Sequence, residues 1–66
     1  MAQGDRVDET GVLVRDGGGF WLRRDAGGLY RLELSRTPVD QVEKHVRLTG
    51  RFIADDVVEA DGLAPV

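Results

Sequence analysis

Glycine recurs at short intervals in the first half of the chain and limits what this half can form. The segments between the glycines are short and rich in β-branched, aromatic and leucine residues. Glycines favour turns and such segments favour strands, so the pattern predicts a meander of three strands at about residues 10–16, 19–24 and 28–35. The glycines that separate them are Gly11, residues 17–19 and residues 27–28.

Alternation of side chains assigns each of these three segments a buried and an exposed face. The more apolar set is predicted to be buried: Val12, Val14, Phe20, Leu22, Tyr30, Leu32 and Leu34. The opposite set is too charged for a core and is predicted to be exposed: Leu13, Arg15, Trp21, Arg23, Leu29, Arg31 and Glu33. A loop at residues 25–27 would keep both sets in register across the second and third strands.

The periodicity changes after the third strand. Thr37 is a candidate helix N-cap, Pro38 suits the first helical position, and Asp40 lies near the positive end of the helix. Val39, Val42 and Val46 recur at helical spacing. These residues predict a short helix that closes the open end of a barrel, because about two turns are not stable alone in water.

A period of two returns at Val46 and predicts two further strands. Val46, Leu48, Gly50 and Phe52 share one face of the fourth strand, and a turn at residues 54–56 leads to a last strand at residues 57–63. The whole chain, residues 1–66, is interpreted as a single domain with frayed ends at about residues 1–9 and 64–66. Gly11 and Gly50 are predicted to mark bends or bulges in the strands.

The order strand, strand, strand, helix, strand, strand resembles the OB-fold, a five-stranded Greek-key barrel. The segments Gly11-Val-Leu, Gly-Phe-Trp-Leu, Tyr-Arg-Leu-Glu-Leu and Val-Arg-Leu-Thr-Gly50 further resemble a group of short uncharacterised bacterial OB-like domains. This resemblance covers about residues 10–63 and implies an all-β, five-stranded OB-like barrel with one short helix. It implies no particular chemistry. An SH3-like barrel is the alternative, disfavoured because two full strands follow the helix.

Composition excludes several classes of site. The chain of 66 residues has no cysteine and one histidine, His45, which rules out a disulfide framework and a Cys/His zinc site. Asp55 and Asp56 lack the alternating spacing of a calcium loop, and residues 17–19 are interpreted as a hairpin turn rather than a phosphate loop. We therefore expect no enzyme activity, no cofactor and no metal. Without a leader or a long apolar run, the chain is expected to be soluble and cytoplasmic, with no membrane contact.

The predicted exposed face of the first three strands is the candidate ligand site. Although the net charge of the chain is −3, its central segment is basic, since residues 11–53 carry eight basic and five acidic side chains. Leu13, Trp21 and Arg31 are expected side by side, and these residues are flanked by Arg15 and Arg23, with Arg51 or Arg47 at the margin. An exposed aromatic beside arginines is typical of single-stranded nucleic acid binding. The alternative is a protein partner or a homodimer contacting Leu13, Trp21 and Leu29.

Overall fold

The computed structural model describes residues 4–35 and 39–66 of the chain. In this part, five strands and one short 3-10 turn follow one another in sequence. They are β1 (Arg6–Asp16), β2 (Gly19–Arg24), β3 (Leu29–Glu33), the 3-10 turn (Val39–Gln41), β4 (His45–Ala54) and β5 (Val57–Pro65).

The five strands form one sheet that closes in a ring, in the order β1-β2-β3-β5-β4, with β4 pairing back onto β1. Four of the pairings are antiparallel, and β3 and β5 run parallel to each other. The predicted all-β class with five strands is therefore confirmed.

The first and last strands of the chain, β1 and β5, are longer than predicted. β1 begins at Arg6, and Arg6 and Glu9 oppose Arg51 and Leu48 of β4. β5 continues to Pro65, which opposes Val46. The frayed ends predicted at residues 1–9 and 64–66 are therefore strand at residues 6–9 and 64–65, because pairing with β4 supplies hydrogen-bond partners to both segments.

The core lies inside the ring and is drawn from all five strands. Tyr30 and Phe52 meet edge to face there, with ring centroids 5.2 Å apart. Phe20 and Leu34, which the sequence also assigned to the core, are only partly buried against it. The buried side chains are Val7, Leu13, Leu22, Tyr30, Leu32, Val46, Leu48, Phe52 and Val58.

The two faces of β1 are the reverse of the prediction. Leu13 is fully buried and opposes Leu22, whereas Val12 and Val14 are only partly buried and oppose Arg23 and Trp21. Residues 12–14 are all apolar, so alternation within this run does not decide which face is inward.

The helix predicted after Thr37 is reduced to the 3-10 turn among the described residues, and the Thr37 and Pro38 start lies outside them. Glu43 has a φ of 68°, which a right-handed helix does not accommodate, and its amide donates to the carbonyl of Leu13 at 2.7 Å. His45 and Val46 already belong to β4, where they pair with β1. His45 and Val46, which the valine spacing assigned to the helix or its end, are therefore paired in the sheet.

Gly11 and Gly50 both lie at close approaches between strands. A Cβ on Gly50 would collide with the carbonyl oxygen of Glu59, and one on Gly11 with that of Arg23. The register of β4 against β5 shifts between Thr49 and Gly50, so a bulge occurs there.

Candidate binding face

The outer surface of β1, β2 and β3 carries a continuous row of side chains around Trp21. Strand register places Val14 opposite Trp21, Trp21 opposite Arg31, and Arg31 opposite Val57 of β5. The Arg31 guanidinium carbon lies 5.8 Å from the centre of the indole ring, a cation–π distance. We call Val12, Val14, Trp21, Arg23, Leu29, Arg31 and Val57 the Trp21 face.

A second row lies beside the first, nearer the β2–β3 loop. Arg23 opposes Val12 on one side and Leu29 on the other. Leu29 is 52% exposed, which is high for a leucine in a strand. The valines and Trp21 are partly buried. The Trp21 face is thus an accessible apolar surface that carries two guanidinium groups.

Two turns border the Trp21 face. The β1–β2 turn forms one side of a shallow depression lined by Asp16, Gly17, Gly19, Trp21 and Arg31. On the other side, the β4–β5 turn is held to β3 because the Arg31 amide donates to the carbonyl of Asp56 at 2.8 Å. Both turns carry aspartates, so acidic groups stand at the margins of a surface whose centre is apolar and basic.

Ion pairing divides the arginines of the described residues into two groups. Arg6, Arg24 and Arg47 bind carboxylates, with N–O distances of 2.9 Å to Asp61, 2.7 Å to Glu9 and 2.8 Å to Asp8. Arg24 also lies over the ring of Tyr30, with its guanidinium carbon 4.5 Å from the ring centre. Within residues 4–35 and 39–66, no ion pair forms at Arg15, Arg23, Arg31 or Arg51. All four were predicted to bind ligand, whereas Arg47, the predicted alternative to Arg51 at the margin, is paired with Asp8.

The structure brings together only three of the six predicted ligand residues: Trp21, Arg23 and Arg31. Leu13 does not belong to the site, since it is buried in the core. Arg15 shares its phase along β1 with Leu13, and its guanidinium lies over Phe20, 5.8 Å from the ring centre, rather than beside Trp21. Arg51 lies on β4 between Arg6 and Glu59, outside the Trp21 face.

Sequence reasoning missed the valines of the Trp21 face. Val12 and Val14 were assigned to the core through the reversed phase of β1. The phase could have been found from Val7, because counting in twos from this isolated apolar residue leads to Gly11 and Leu13. Val57 could not be placed beside Arg31, because the parallel pairing of β3 with β5 joins residues far apart in sequence.

A separate polar cluster joins the β2–β3 loop to β1 and β4. His45 Nε2 lies 2.6 Å from Asp25 Oδ2, and the Thr10 hydroxyl donates to the same oxygen at 2.7 Å. These two hydrogen bonds, that of His45 first, hold the pKa of Asp25 below its usual range. Since the hydroxyl and the imidazole both bind the carboxylate, the cluster does not have the nucleophile–base contact of a hydrolytic site. It ties three elements together.

Two further carboxylates on the outside of β1, β4 and β5 have a lowered pKa. The hydrogen bond from Arg47 lowers the pKa of Asp8, and those from Arg6 and Thr49 lower the pKa of Asp61. No cluster of three or more potential metal ligands occurs within the part of the chain that the structure describes. Nor does any helix in that part have the length and apolar character to cross a membrane.

Comparison with known families identifies one match. The family described as "Protein of unknown function (DUF5818)" matches residues 10–66, which is most of the chain. Comparisons with curated proteins and with solved structures found no match.

Proposed function

We propose that this chain, which belongs to the DUF5818 family, is a small non-enzymatic binding module of the OB type whose Trp21 face binds a protein partner. The partner segment on this proposal carries carboxylates beside apolar side chains. The observation that supports it is the composition of the face: one tryptophan and four aliphatic residues around two arginines that have no carboxylate within the described residues.

The OB assignment rests on topology. In the ring, β1 pairs with both β2 and β4, and β3 lies parallel to β5. This arrangement fits a five-stranded Greek-key barrel in which the face of strands two and three, with the β1–β2 and β4–β5 loops, binds ligands. Trp21 and Arg31 lie on those two strands and between those two loops. A cytoplasmic location stays a prediction from composition.

A protein partner suits the Trp21 face better than a polyanion does. Tryptophan and arginine are the residues most enriched at the energetic centres of protein interfaces, where aliphatic neighbours exclude water. Asp16 borders the face, and its carboxylate would repel a phosphate placed on Arg31. A peptide carboxylate can instead pair with Arg23, in the row farther from Asp16, while an apolar neighbour of that carboxylate covers Leu29 or Val14.

Single-stranded nucleic acid is the second candidate. The observation that favours it is the position of the Arg31 guanidinium near the Trp21 ring between the two loops, since base stacking on an aromatic with a nearby arginine is a common mode of single-strand binding. A homodimer that forms through the same face is one case of the protein-partner proposal, in which the partner is a second copy of this chain.

The leading proposal is tested by selecting peptides from a random displayed library against the parent protein. We expect the selected peptides to be enriched in Asp or Glu beside aromatic or aliphatic residues. Trp21→Ala should weaken binding by about 2 kcal/mol, roughly thirtyfold, and Arg31→Ala by about 1–2 kcal/mol. Fluorescence titration of labelled peptides measures both changes.

Arg51→Ala and Ile53→Ala are the matched controls. Arg51 also has no ion pair among the described residues, and Ile53 is an exposed apolar residue, yet both lie on β4 outside the face. Each control should leave the affinity within about twofold of the parent. Peptides that bind the Trp21→Ala variant as tightly as the parent would refute the proposed site.

Titration with a short single-stranded oligonucleotide separates the two candidates. Nucleic acid binding would change Trp21 fluorescence at low salt and weaken steeply as salt rises, because phosphate contacts release counterions. The proposed peptide combines a carboxylate–guanidinium pair with apolar contacts, so its binding should weaken with salt much less than that of a strand with several phosphate contacts. The molecular mass in solution at low and high salt, for the parent and Trp21→Ala, detects a homodimer.

A further inference from the structure

The chain contains two Asp-Gly pairs, and the structure holds them in opposite environments. They are Asp16-Gly17 in the turn after β1 and Asp61-Gly62 within β5. Glycine has no Cβ to shield its amide nitrogen, so an Asp-Gly pair lets the aspartate side-chain carbon approach the next backbone nitrogen more freely than other pairs do.

Asp16 is the last residue of β1 and opposes Gly19, but its side chain and the following Gly17 have no partner that restrains them among the described residues. Asp16 is exposed, and none of the ion pairs or side-chain hydrogen bonds of the described residues involves its carboxylate. Gly17 and Gly18 have φ values of 61° and 81°, and a Cβ on either glycine would meet no atom within 4 Å. The turn therefore has open space around it and can rotate about the bonds that bring the two groups together.

Side-chain hydrogen bonds hold Asp61 in place, and strand pairing holds Gly62. The Asp61 carboxylate accepts hydrogen bonds from Arg6 at 2.9 Å and from Thr49 at 3.0 Å. Gly62 lies opposite Thr49 in the β4–β5 pairing, and a Cβ on it would collide with the Thr49 hydroxyl. Rotation toward the required geometry would break both the ion pair and the strand pairing.

We propose that Asp16-Gly17 is a site of spontaneous aspartate isomerisation and, once isomerised, a substrate for carboxyl methyltransferases that recognise isoaspartate. The Gly17 nitrogen attacks the side-chain carbonyl carbon of Asp16, a C–N bond forms, and one water leaves to give a cyclic imide. A solvent water then opens the ring at either carbonyl. One opening restores aspartate, and the other routes the main chain through the Asp16 side chain and frees the former backbone carboxyl.

Isomerisation would change the β1–β2 turn, because it adds one carbon to the main chain next to a two-residue turn. It would also move a carboxylate in the depression that Asp16 shares with Trp21 and Arg31. The site itself does not depend on the proposed function, and its test needs no binding partner.

The test is incubation of the full chain at mildly acidic pH, folded and in denaturant, followed by cleavage after glutamate. Cleavage after Glu9, Glu33 and Glu59 places the two pairs in separate peptides, residues 10–33 and 60–66. Electron-transfer fragmentation identifies isoaspartate in each, and methylation by an isoaspartyl methyltransferase counts it independently. In the folded chain we expect isoaspartate to accumulate at least about tenfold faster at Asp16 than at Asp61, and at similar rates when unfolded.

Asp16→Glu is the control, since a glutamate would have to form a larger and slower ring while keeping the charge. The new glutamate adds a cleavage site, so this region is recovered as residues 10–16 and 17–33. The new species should be absent from both peptides, and the circular dichroism spectrum should be unchanged. Equal rates at Asp16 and Asp61 in the folded chain, or a folded Asp16 that reacts more than tenfold slower than the unfolded one, would overturn the proposal.

Discussion

Gly11 and Gly50 each allow a neighbouring strand to approach more closely than any side chain would permit. The atom that a Cβ would meet is a backbone oxygen in both cases, of Arg23 and of Glu59, and backbone cannot move aside as a flexible side chain can. Glycine is therefore required at both positions because the neighbouring backbone lies too close for a Cβ, whatever the φ angle.

We predict that Gly11→Ala and Gly50→Ala each lower the free energy of unfolding by about 1–3 kcal/mol, the usual range for overpacking. Gly19→Ala is the matched control, because its nearest neighbour, the Asp16 carbonyl oxygen, is at an ordinary 3.7 Å. Urea denaturation followed by circular dichroism measures all three. Equal stability of the Gly50 and Gly19 variants would show that the strands can separate without cost.

The reversed phase of β1 gives a second prediction at this scale. Leu13→Ala removes a fully buried side chain and should cost about 2–5 kcal/mol, whereas Val14→Ala removes a partly exposed one and should cost less than about 1 kcal/mol. Leu48→Ala belongs with Leu13→Ala, since Leu48 is also fully buried. Phe20→Ala should cost less than either, because Phe20 only borders the core. A Val14 variant less stable than the Leu13 variant would restore the original assignment of faces.

At the scale of the elements, alternation succeeded where charged and apolar residues truly alternate. In β2 and β3 it separated Leu22, Tyr30 and Leu32 from Trp21 and Arg31, and the structure keeps that separation. It failed in β1, where three consecutive apolar residues fit either phase. The candidate site shows both results: the structure places Trp21, Arg23 and Arg31 on one outer face as expected, while Leu13 is buried and its neighbours Val12 and Val14 lie on that face instead.

Where a helix was predicted, the described residues form only a 3-10 turn, for a different physical reason. The valine spacing before β4 is helical, but Val46 pairs with Gly11, and pairing between strands so distant in sequence cannot be read from local spacing. Glu43 lies in the left-handed region, where a side chain with a Cβ costs about 1–2 kcal/mol.

Glu43→Gly should therefore leave the free energy of unfolding unchanged or raise it by up to about 1 kcal/mol. Glycine relieves the backbone strain at this position, but it also gives the unfolded chain more conformational freedom, which offsets part of the gain. Lys44→Gly, at the next position and without a positive φ, should lower it by about 0.5–1 kcal/mol. Thermal denaturation of both variants gives the comparison. Equal losses in the two would mean that Glu43 does not adopt this conformation.

For the molecule as a whole, exposed ion pairs and hydrogen bonds link segments that are distant in sequence. Arg6 binds Asp61, Arg47 binds Asp8, and Asp25 binds His45. Each of the three aspartates has a pKa below its usual range in the folded chain. Their stabilising effect is therefore complete above the unfolded pKa of about 4 and is lost as the pH falls through that value toward the folded pKa.

We accordingly expect the urea midpoint to be nearly constant from neutral pH to about pH 5 and to fall below about pH 4. Asp61→Asn, which cannot ionise but can still accept a hydrogen bond from Thr49, should make this fall shallower. Asp55→Asn serves as the control, because the Asp55 carboxylate has no ion pair among the described residues, and it should leave the slope unchanged. A midpoint whose fall below pH 4 is the same in all three proteins would exclude Asp61 as a source of the pH dependence.

The parallel contact between β3 and β5 consists of three opposed pairs, the last of which sets Glu33 against Glu59. Like charges directly opposite each other weaken a strand pair. Separation there would leave an open sheet in the order β3-β2-β1-β4-β5 with every antiparallel pair intact. Both of its outer strands would then be free edges, and the β3 edge of one copy could pair with the β5 edge of another. The shortest contact in the ring is thus where the closed sheet would open most easily and where a second copy could take the place of the lost strand neighbour.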